Sequence, residues 1–214
     1  MRDDEGIISK DMVIKTSICI YWLFCFIAMM LIITNRKYIY SLLNPSFESP
    51  DKEKGYKVSL LLGWIVTLAA SGAYISFTRK YETGNYEIID LIVFSVFNGI
   101  LEQFMFIFWF FLGCYIGKII SSSNNKLIFT LGYISYAMFS GIIHALFWIK
   151  VLPSHEPAII IMPVFLSIMS LVWMWLVWRY RAVMAIIIMH MFIDFITVGH
   201  LNFAWFESFQ IIGL

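Results

Sequence analysis

Long apolar blocks separated by short polar segments run along this chain. Six stretches qualify or nearly qualify as membrane-spanning helices, at about 16–34, 58–77, 91–117, 127–149, 158–178 and 183–199. A helix needs about 20 mainly apolar residues to cross a hydrocarbon core of roughly 30 Å. The pattern therefore predicts an all-α integral membrane protein, with about six transmembrane helices forming a bundle around an intramembrane polar cavity.

Composition agrees with a membrane protein, since 61% of residues are hydrophobic and only 14% are charged. The longest polar segment, at about 35–57, contains two prolines and mixed charges, which indicates a surface loop. The formal net charge is +1 and no basic cluster is long enough to suggest nucleic acid, so membrane lipid is the expected partner.

A group of aromatic and basic residues lies near the end of the fifth predicted span. Trp173, Trp175 and Trp178 are followed by Arg179 and Arg181. Tryptophan is enriched at membrane interfaces, where its ring sits among the lipid headgroups. We therefore interpret this group as an interfacial anchor.

Four ionisable side chains lie within the apolar stretches: Glu102, His144, His190 and Asp194. Placing a charged or ionisable group in hydrocarbon costs at least a few kcal/mol, so such residues normally face the bundle interior or a wet cavity. These four residues form the candidate functional site.

The depths of Glu102 and His144 can be compared through the turn between their spans. Glu102 lies 16 residues before Lys118, and His144 lies 18 residues after Lys126. At about 1.5 Å per residue, these distances place them roughly 24 and 27 Å from the same membrane face. Antiparallel helices joined by a short loop are usually neighbours, so the two side chains can face each other.

The last predicted span brings two further groups to a compatible depth. His190 follows Ala182 by eight residues, about 12 Å, and Asp194 lies one turn deeper, at about 18 Å. The i, i+4 spacing puts both on one helix face, and Asn98 and Glu102 repeat that spacing. With modest helix tilt, all four ionisable groups fall within reach of one cavity.

Three short segments, in this order, resemble the motifs of the CAAX protease and bacteriocin-processing (CPBP, or Abi) family, which run EExxxR, FxxxH and HxxxN/D. They are 99–103 (GILEQ), 139–146 (FSGIIHAL) and 190–194 (HMFID). The resemblance covers about residues 88–200. It divides the chain into an N-terminal membrane region over 1–87, a CPBP-like core over 88–200 and a short C-terminal tail over 201–214.

This chain departs from the family motifs at three positions. The second Glu of EExxxR is Gln103, the Arg position is Ile107, and the Phe position four residues before His144 is Ser140. Glu102 stands at the first position, which in the family is the catalytic carboxylate.

The resemblance implies a glutamate-dependent intramembrane endopeptidase that cleaves near a membrane-embedded or lipidated peptide segment. Glu102 would take a proton from a water held between it and His144. His190 and the residue at 194 would stabilise or orient the oxyanion. In many relatives that last position is Asn, whereas Asp194 would orient His190 and fix its tautomer.

Within this family the chain resembles the bacterial branch more than the branch that trims prenylated proteins. It is short and rich in Ile, and we expect no appended domain. The expected role is bacteriocin or peptide maturation or self-immunity, in a bacterial cell membrane. The expected partner is a hydrophobic or lipidated peptide or protein.

Three alternatives stay open. Two His, one Glu and one Asp are ligands that zinc accepts, although the resemblance implies catalysis without a cofactor. A catalytically silent scaffold or immunity protein is a second possibility because of Gln103 and Ile107. A proton-coupled transporter would also bury such groups, but inverted repeats or broken helices, which would favour it, are not evident.

Overall fold

The computed structural model describes residues 10–43, 55–78, 88–150 and 158–198, and over these ranges the chain forms α-helices and no strand. The helices are α1 (Lys10–Thr34), α2 (Arg36–Leu42), α3 (Tyr56–Thr78), α4 (Ile88–Ile120), α5 (Asn125–Lys150), α6 (Ala158–Tyr180) and α7 (Val183–Val198). The predicted tail over 201–214 lies outside the described residues.

Five of these helices are long and apolar enough to cross a membrane: α1, α3, α4, α5 and α6. The protein is therefore an integral membrane protein with an all-α bundle, as the sequence predicted. The sixth predicted span corresponds to α7, an apolar helix of 16 residues. At about 1.5 Å per residue α7 covers roughly 24 Å, which is shorter than the hydrocarbon core.

Helix α4 is the centre of the bundle, because it contacts α1, α2, α5 and α7. Helix α3 completes the bundle by packing on α6 and α7. The contact between α4 and α5 depends on glycine. A Cβ atom at Gly113 would collide with the Leu131 carbonyl oxygen, and one at Gly117 would lie 2.8 Å from Ile128 Cα. Small residues at this spacing let two membrane helices approach closely, which fixes α5 against α4.

Replacing Gly113 by alanine should destabilise the bundle, because the added methyl group must push α5 away from α4. Overpacking of this kind costs about 1–3 kcal/mol. Gly72→Ala is the matched control, since a Cβ atom there meets nothing within 4 Å. Thermal unfolding of the detergent-solubilised protein should show a lower midpoint for Gly113→Ala alone. Equal midpoints for the two variants would contradict this packing.

The turn between α6 and α7 sets where α7 begins. Arg181 has a φ of 54°, in the left-handed region that ends a helix, and its N–H donates to the Val177 carbonyl at 2.9 Å. Its guanidinium carbon lies 5.3 Å from the centre of the Tyr40 ring, which ties this turn to α2. Helix α7 therefore starts from a defined point next to α2.

Two predictions about the membrane boundaries are wrong. The 35–57 segment is not a loop throughout, because 36–42 form α2. Leu42 and the residue after the helix, Leu43, are buried and pack in the core. Trp173 and Trp178 do not serve as interfacial anchors, since they are only 1% and 5% exposed, whereas Trp175 is 42% exposed. The indole rings of Trp173 and Trp178 fill space between helices and therefore do not reach the lipid headgroups.

Candidate active site

A cavity of about 400 Å³ lies inside the bundle, and all four ionisable residues predicted from the sequence line it. Its walls are mainly apolar, with Phe94, Phe106, Phe147, Met162 and Leu166 among the lining residues. Ligand-binding sites typically have a volume in this range and an apolar lining with a few convergent polar groups. The membrane depths estimated by counting residues therefore predicted correctly that these four residues lie around one cavity.

Glu102 lies on α4 with its side chain only 12% exposed. Its Oε1 accepts a hydrogen bond of 2.7 Å from the Tyr21 hydroxyl of α1. Its Oε2 accepts one of 2.9 Å from Asn98 Nδ2, one turn earlier on α4. Both carboxylate oxygens therefore have a donor, which holds the carboxylate in a fixed orientation at the cavity wall.

Asn98 connects the two carboxylates of the site. Its Nδ2 donates to Glu102 and also to Asp194 Oδ2, at 3.0 Å. Its Oδ1 accepts a hydrogen bond of 2.9 Å from Trp22 Nε1. Because an indole N–H can only donate, Trp22 fixes which end of the amide is the oxygen and turns the NH₂ group toward the carboxylates.

His190 lies between Glu102 and Asp194. Its Nε2 is 3.6 Å from Glu102 Oε2 and 3.7 Å from Asp194 Oδ1. Its ring stacks on Phe106, with 5.8 Å between centroids and an angle of 8°. When protonated, His190 offsets the charge of one of the two carboxylates, which face each other across Asn98.

Gln103 orients the His190 ring from the opposite side. Its Oε1 lies 2.9 Å from His190 Nδ1, and the residue is fully buried. With the amide oxygen toward the ring, Nδ1 is the donor of this hydrogen bond, and Nε2 is the nitrogen that faces the carboxylates. The sequence predicted that Asp194 fixes this tautomer. In the structure Gln103 contacts Nδ1, and Asp194 Oδ1 lies 3.7 Å from Nε2.

His144 is oriented by its own helix. Its Nδ1 lies 2.7 Å from the Ser140 carbonyl oxygen, one turn earlier on α5, so Nδ1 must donate. In the neutral ring, Nε2 is then an unprotonated nitrogen that can accept a hydrogen bond from a water molecule. The ring centroid is 5.9 Å from that of Phe106, which also contacts His190. Both imidazoles thus flank one aromatic ring in the same cavity.

Three residues of this site were not found from the sequence. Tyr21 and Trp22 reach it from α1, 81 and 76 positions away from their partners Glu102 and Asn98. Trp173 lines the cavity, with its ring centroid 5.9 Å from that of His190. Tyrosine and tryptophan in an apolar span are also common packing residues, so no pattern marked them.

Over the described ranges, no three His, Cys, Asp or Glu side chains are arranged so that they could hold a metal ion. Tyr21 and Asn98 both donate hydrogen bonds to the Glu102 carboxylate, and Asn98 also donates one to Asp194. The site therefore places a carboxylate next to hydrogen-bond donors, a combination that can activate a water molecule.

Removing the acceptor at position 103 should loosen His190. In Gln103→Met, a side chain of similar length leaves Nδ1 buried with no acceptor there, which costs about 1–3 kcal/mol. The expected result is a lower unfolding midpoint of the detergent-solubilised protein. Gln103→Glu supplies a carboxylate oxygen at the same place and should retain more of the wild-type stability. Equal unfolding midpoints for Gln103→Met and Gln103→Glu would show that the hydrogen bond to His190 does not stabilise the protein.

No family model, curated protein or solved structure matches this chain. The resemblance to CPBP proteases therefore rests on the three short motifs and on their order.

Proposed function

We propose that this protein is an intramembrane endopeptidase in which Glu102 activates a water molecule to cleave a membrane-associated peptide or protein. The observation that carries the proposal is the placement of Glu102. It is an oriented carboxylate on the wall of a mainly apolar cavity, within 3.6 Å of His190 and in a cavity shared with His144. A carboxylate held in this position can take a proton from a water molecule in the cavity.

In the proposed reaction, a water molecule lies between Glu102 and Nε2 of His144. Its oxygen forms a bond to the carbonyl carbon of the scissile peptide while its proton moves to Glu102. The carbonyl oxygen becomes an oxyanion, which protonated His190 stabilises by donating from Nε2. When the carbon–nitrogen bond breaks, Glu102 returns the proton to the leaving nitrogen, so one carboxyl and one amino terminus are produced.

The departures from the family motifs are compatible with this proposal. Gln103 supplies an acceptor to His190 that a glutamate would also supply. Ile107 is 0% exposed within the hydrophobic core and is not among the cavity-lining residues. The change to Ile at the Arg position therefore removes no group from the cavity wall of this chain.

The test is a comparison of membrane-associated and secreted peptides from cells that produce the wild-type protein or Glu102→Gln at matched levels. The proposal predicts precursor peptides that accumulate only with Glu102→Gln, and these identify the substrate. Identical peptide profiles would contradict it and favour the silent scaffold. A pH gradient across vesicles that dissipates only with the wild-type protein would instead favour a proton-coupled transporter.

For the biological role, we propose maturation of a bacteriocin or signalling peptide, or self-immunity, in a bacterial cell membrane. The mainly apolar cavity supports a hydrophobic or lipidated substrate. Such a segment loses little hydrophobic stabilisation when it moves from the lipid into an apolar cavity. Because the site lies in a bundle of membrane-spanning helices, the substrate would reach it from the membrane.

A further inference from the structure

Helix α1 contributes directly to the candidate active site, although it lies outside the segment that resembles CPBP proteases. Two consecutive residues make the contacts: Tyr21 donates to Glu102 at 2.7 Å, and Trp22 donates to Asn98 at 2.9 Å. Tyr21 also lines the cavity. Its hydroxyl is therefore next to the carboxylate that would activate water and next to the space that the substrate would occupy.

Two other polar side chains near Glu102 already use their donors. Asn98 Nδ2 binds both Glu102 and Asp194. His144 donates its Nδ1 proton to Ser140, and neutral His144 then has no second proton to give. Asp194 as a carboxylate only accepts. Protonated His190 and the Tyr21 hydroxyl are therefore two donors beside Glu102 that could serve an oxyanion formed there.

The proton transfer itself would release Tyr21. In the resting site, its hydroxyl proton is attracted to the charged carboxylate of Glu102. When Glu102 takes the proton from water it becomes neutral, and the negative charge appears on the substrate carbonyl oxygen. Hydrogen bonds to a charged acceptor are roughly twice as strong as those between neutral groups, so the oxyanion becomes the preferred acceptor. A rotation of the O–H bond would redirect the donor.

We propose that Tyr21 is a catalytic residue that donates a hydrogen bond to the oxyanion of the tetrahedral intermediate. This inference rests on the proposed peptidase function. The hydroxyl proton stays on Tyr21 throughout, while the proton taken from water moves to Glu102 and then to the leaving nitrogen. Tyr21 thus supplies a donor that the amide of an Asn at position 194 could otherwise provide.

The first test is Tyr21→Phe, assayed on the precursor that accumulates in cells with Glu102→Gln. Removing one oxyanion donor typically lowers kcat by about 10²- to 10³-fold, and we expect a fall of that size with KM little changed. The control is Tyr133→Phe, which makes the same chemical change on α5, where the hydroxyl donates to the Ser167 carbonyl at 3.0 Å and does not line the cavity. An unchanged kcat in Tyr21→Phe would overturn the proposal.

A second variant separates oxyanion stabilisation from mere support of Glu102. Tyr21→3,5-difluorotyrosine keeps the hydroxyl and makes it a stronger donor. If Tyr21 binds the oxyanion, kcat should rise. If Tyr21 only binds resting Glu102, the stronger donor makes that carboxylate a weaker base and kcat should fall. A fall or no change would overturn the proposal. The proposed function fails separately, if Glu102→Gln still cleaves the precursor.

Discussion

Glu102→Gln should lower the rate of peptide hydrolysis by about 10²- to 10⁴-fold, the usual contribution of a positioned general base. The amide that replaces the carboxylate cannot take a proton from water. It also presents one acceptor oxygen where Tyr21 and Asn98 now have two. The measurement is kcat/KM for the purified protein in lipid, with the precursor that accumulates in the mutant cells.

Glu102→Asp is the control that separates charge from position. It keeps a carboxylate but withdraws it from Tyr21 and the water site by one methylene, about 1.5 Å. We expect activity between that of the wild-type protein and Glu102→Gln, since misplacement by about 1 Å costs on the order of 10²-fold. Full activity in Glu102→Gln, with an unchanged unfolding midpoint, would contradict the assignment of Glu102 as the base.

The second large effect is expected at Gly99, which lets α7 approach α4 beside the site. A Cβ atom at Gly99 would lie 2.8 Å from both the backbone nitrogen and Cα of Met191. Because Met191 follows His190 on α7, Gly99→Ala must shift the backbone that carries His190 and Asp194. A shift of about 1 Å would lower activity on the order of 10²-fold. Activity is measured on the precursor used for Glu102→Gln.

Gly141→Ala is the matched control for Gly99→Ala. Gly141 lies on α5 between Ser140 and His144, but a Cβ atom there meets nothing within 4 Å. Alanine is favoured over glycine in a helix by up to about 1 kcal/mol, so this variant should be at least as stable as the wild-type protein. Equal activity in the two alanine variants would show that the close approach of α7 does not position the site.

The convergence of the four ionisable residues was predictable from the sequence. Helices have a fixed rise per residue, and Lys118 and Lys126 marked one end of the hairpin, so the depths of Glu102 and His144 followed by counting. The apolar surroundings of these residues excluded a position facing lipid. The catalytic roles assigned to them stay predictions.

The contributions of Tyr21 and Gln103 were not predictable in the same way. Whether α1 packs on α4 depends on side-chain packing between distant segments, and α1 is apolar on nearly all sides, so its pattern does not select a face. Gln103 was noted as a departure from a motif. Its role became clear only when the rotation of α4 against α7 placed its amide oxygen at His190.

The short helix α2 also could not be predicted. Its seven residues carry too little periodicity to distinguish a helix from a loop in a segment with prolines and charges. Tertiary contacts decide its conformation, because Lys118 at the end of α4 donates to the Ser41 carbonyl at 3.2 Å and Leu42 is buried.

The measurement that tests Glu102-dependent hydrolysis most directly is cleavage of the precursor in water enriched in ¹⁸O by the purified protein in lipid vesicles. We predict that the wild-type protein produces a fragment whose new C-terminal carboxyl carries one ¹⁸O atom from the attacking water, and that Glu102→Gln produces almost none. Labelled fragment formed at equal rates by both proteins, or no fragment from the wild-type protein, would contradict the account.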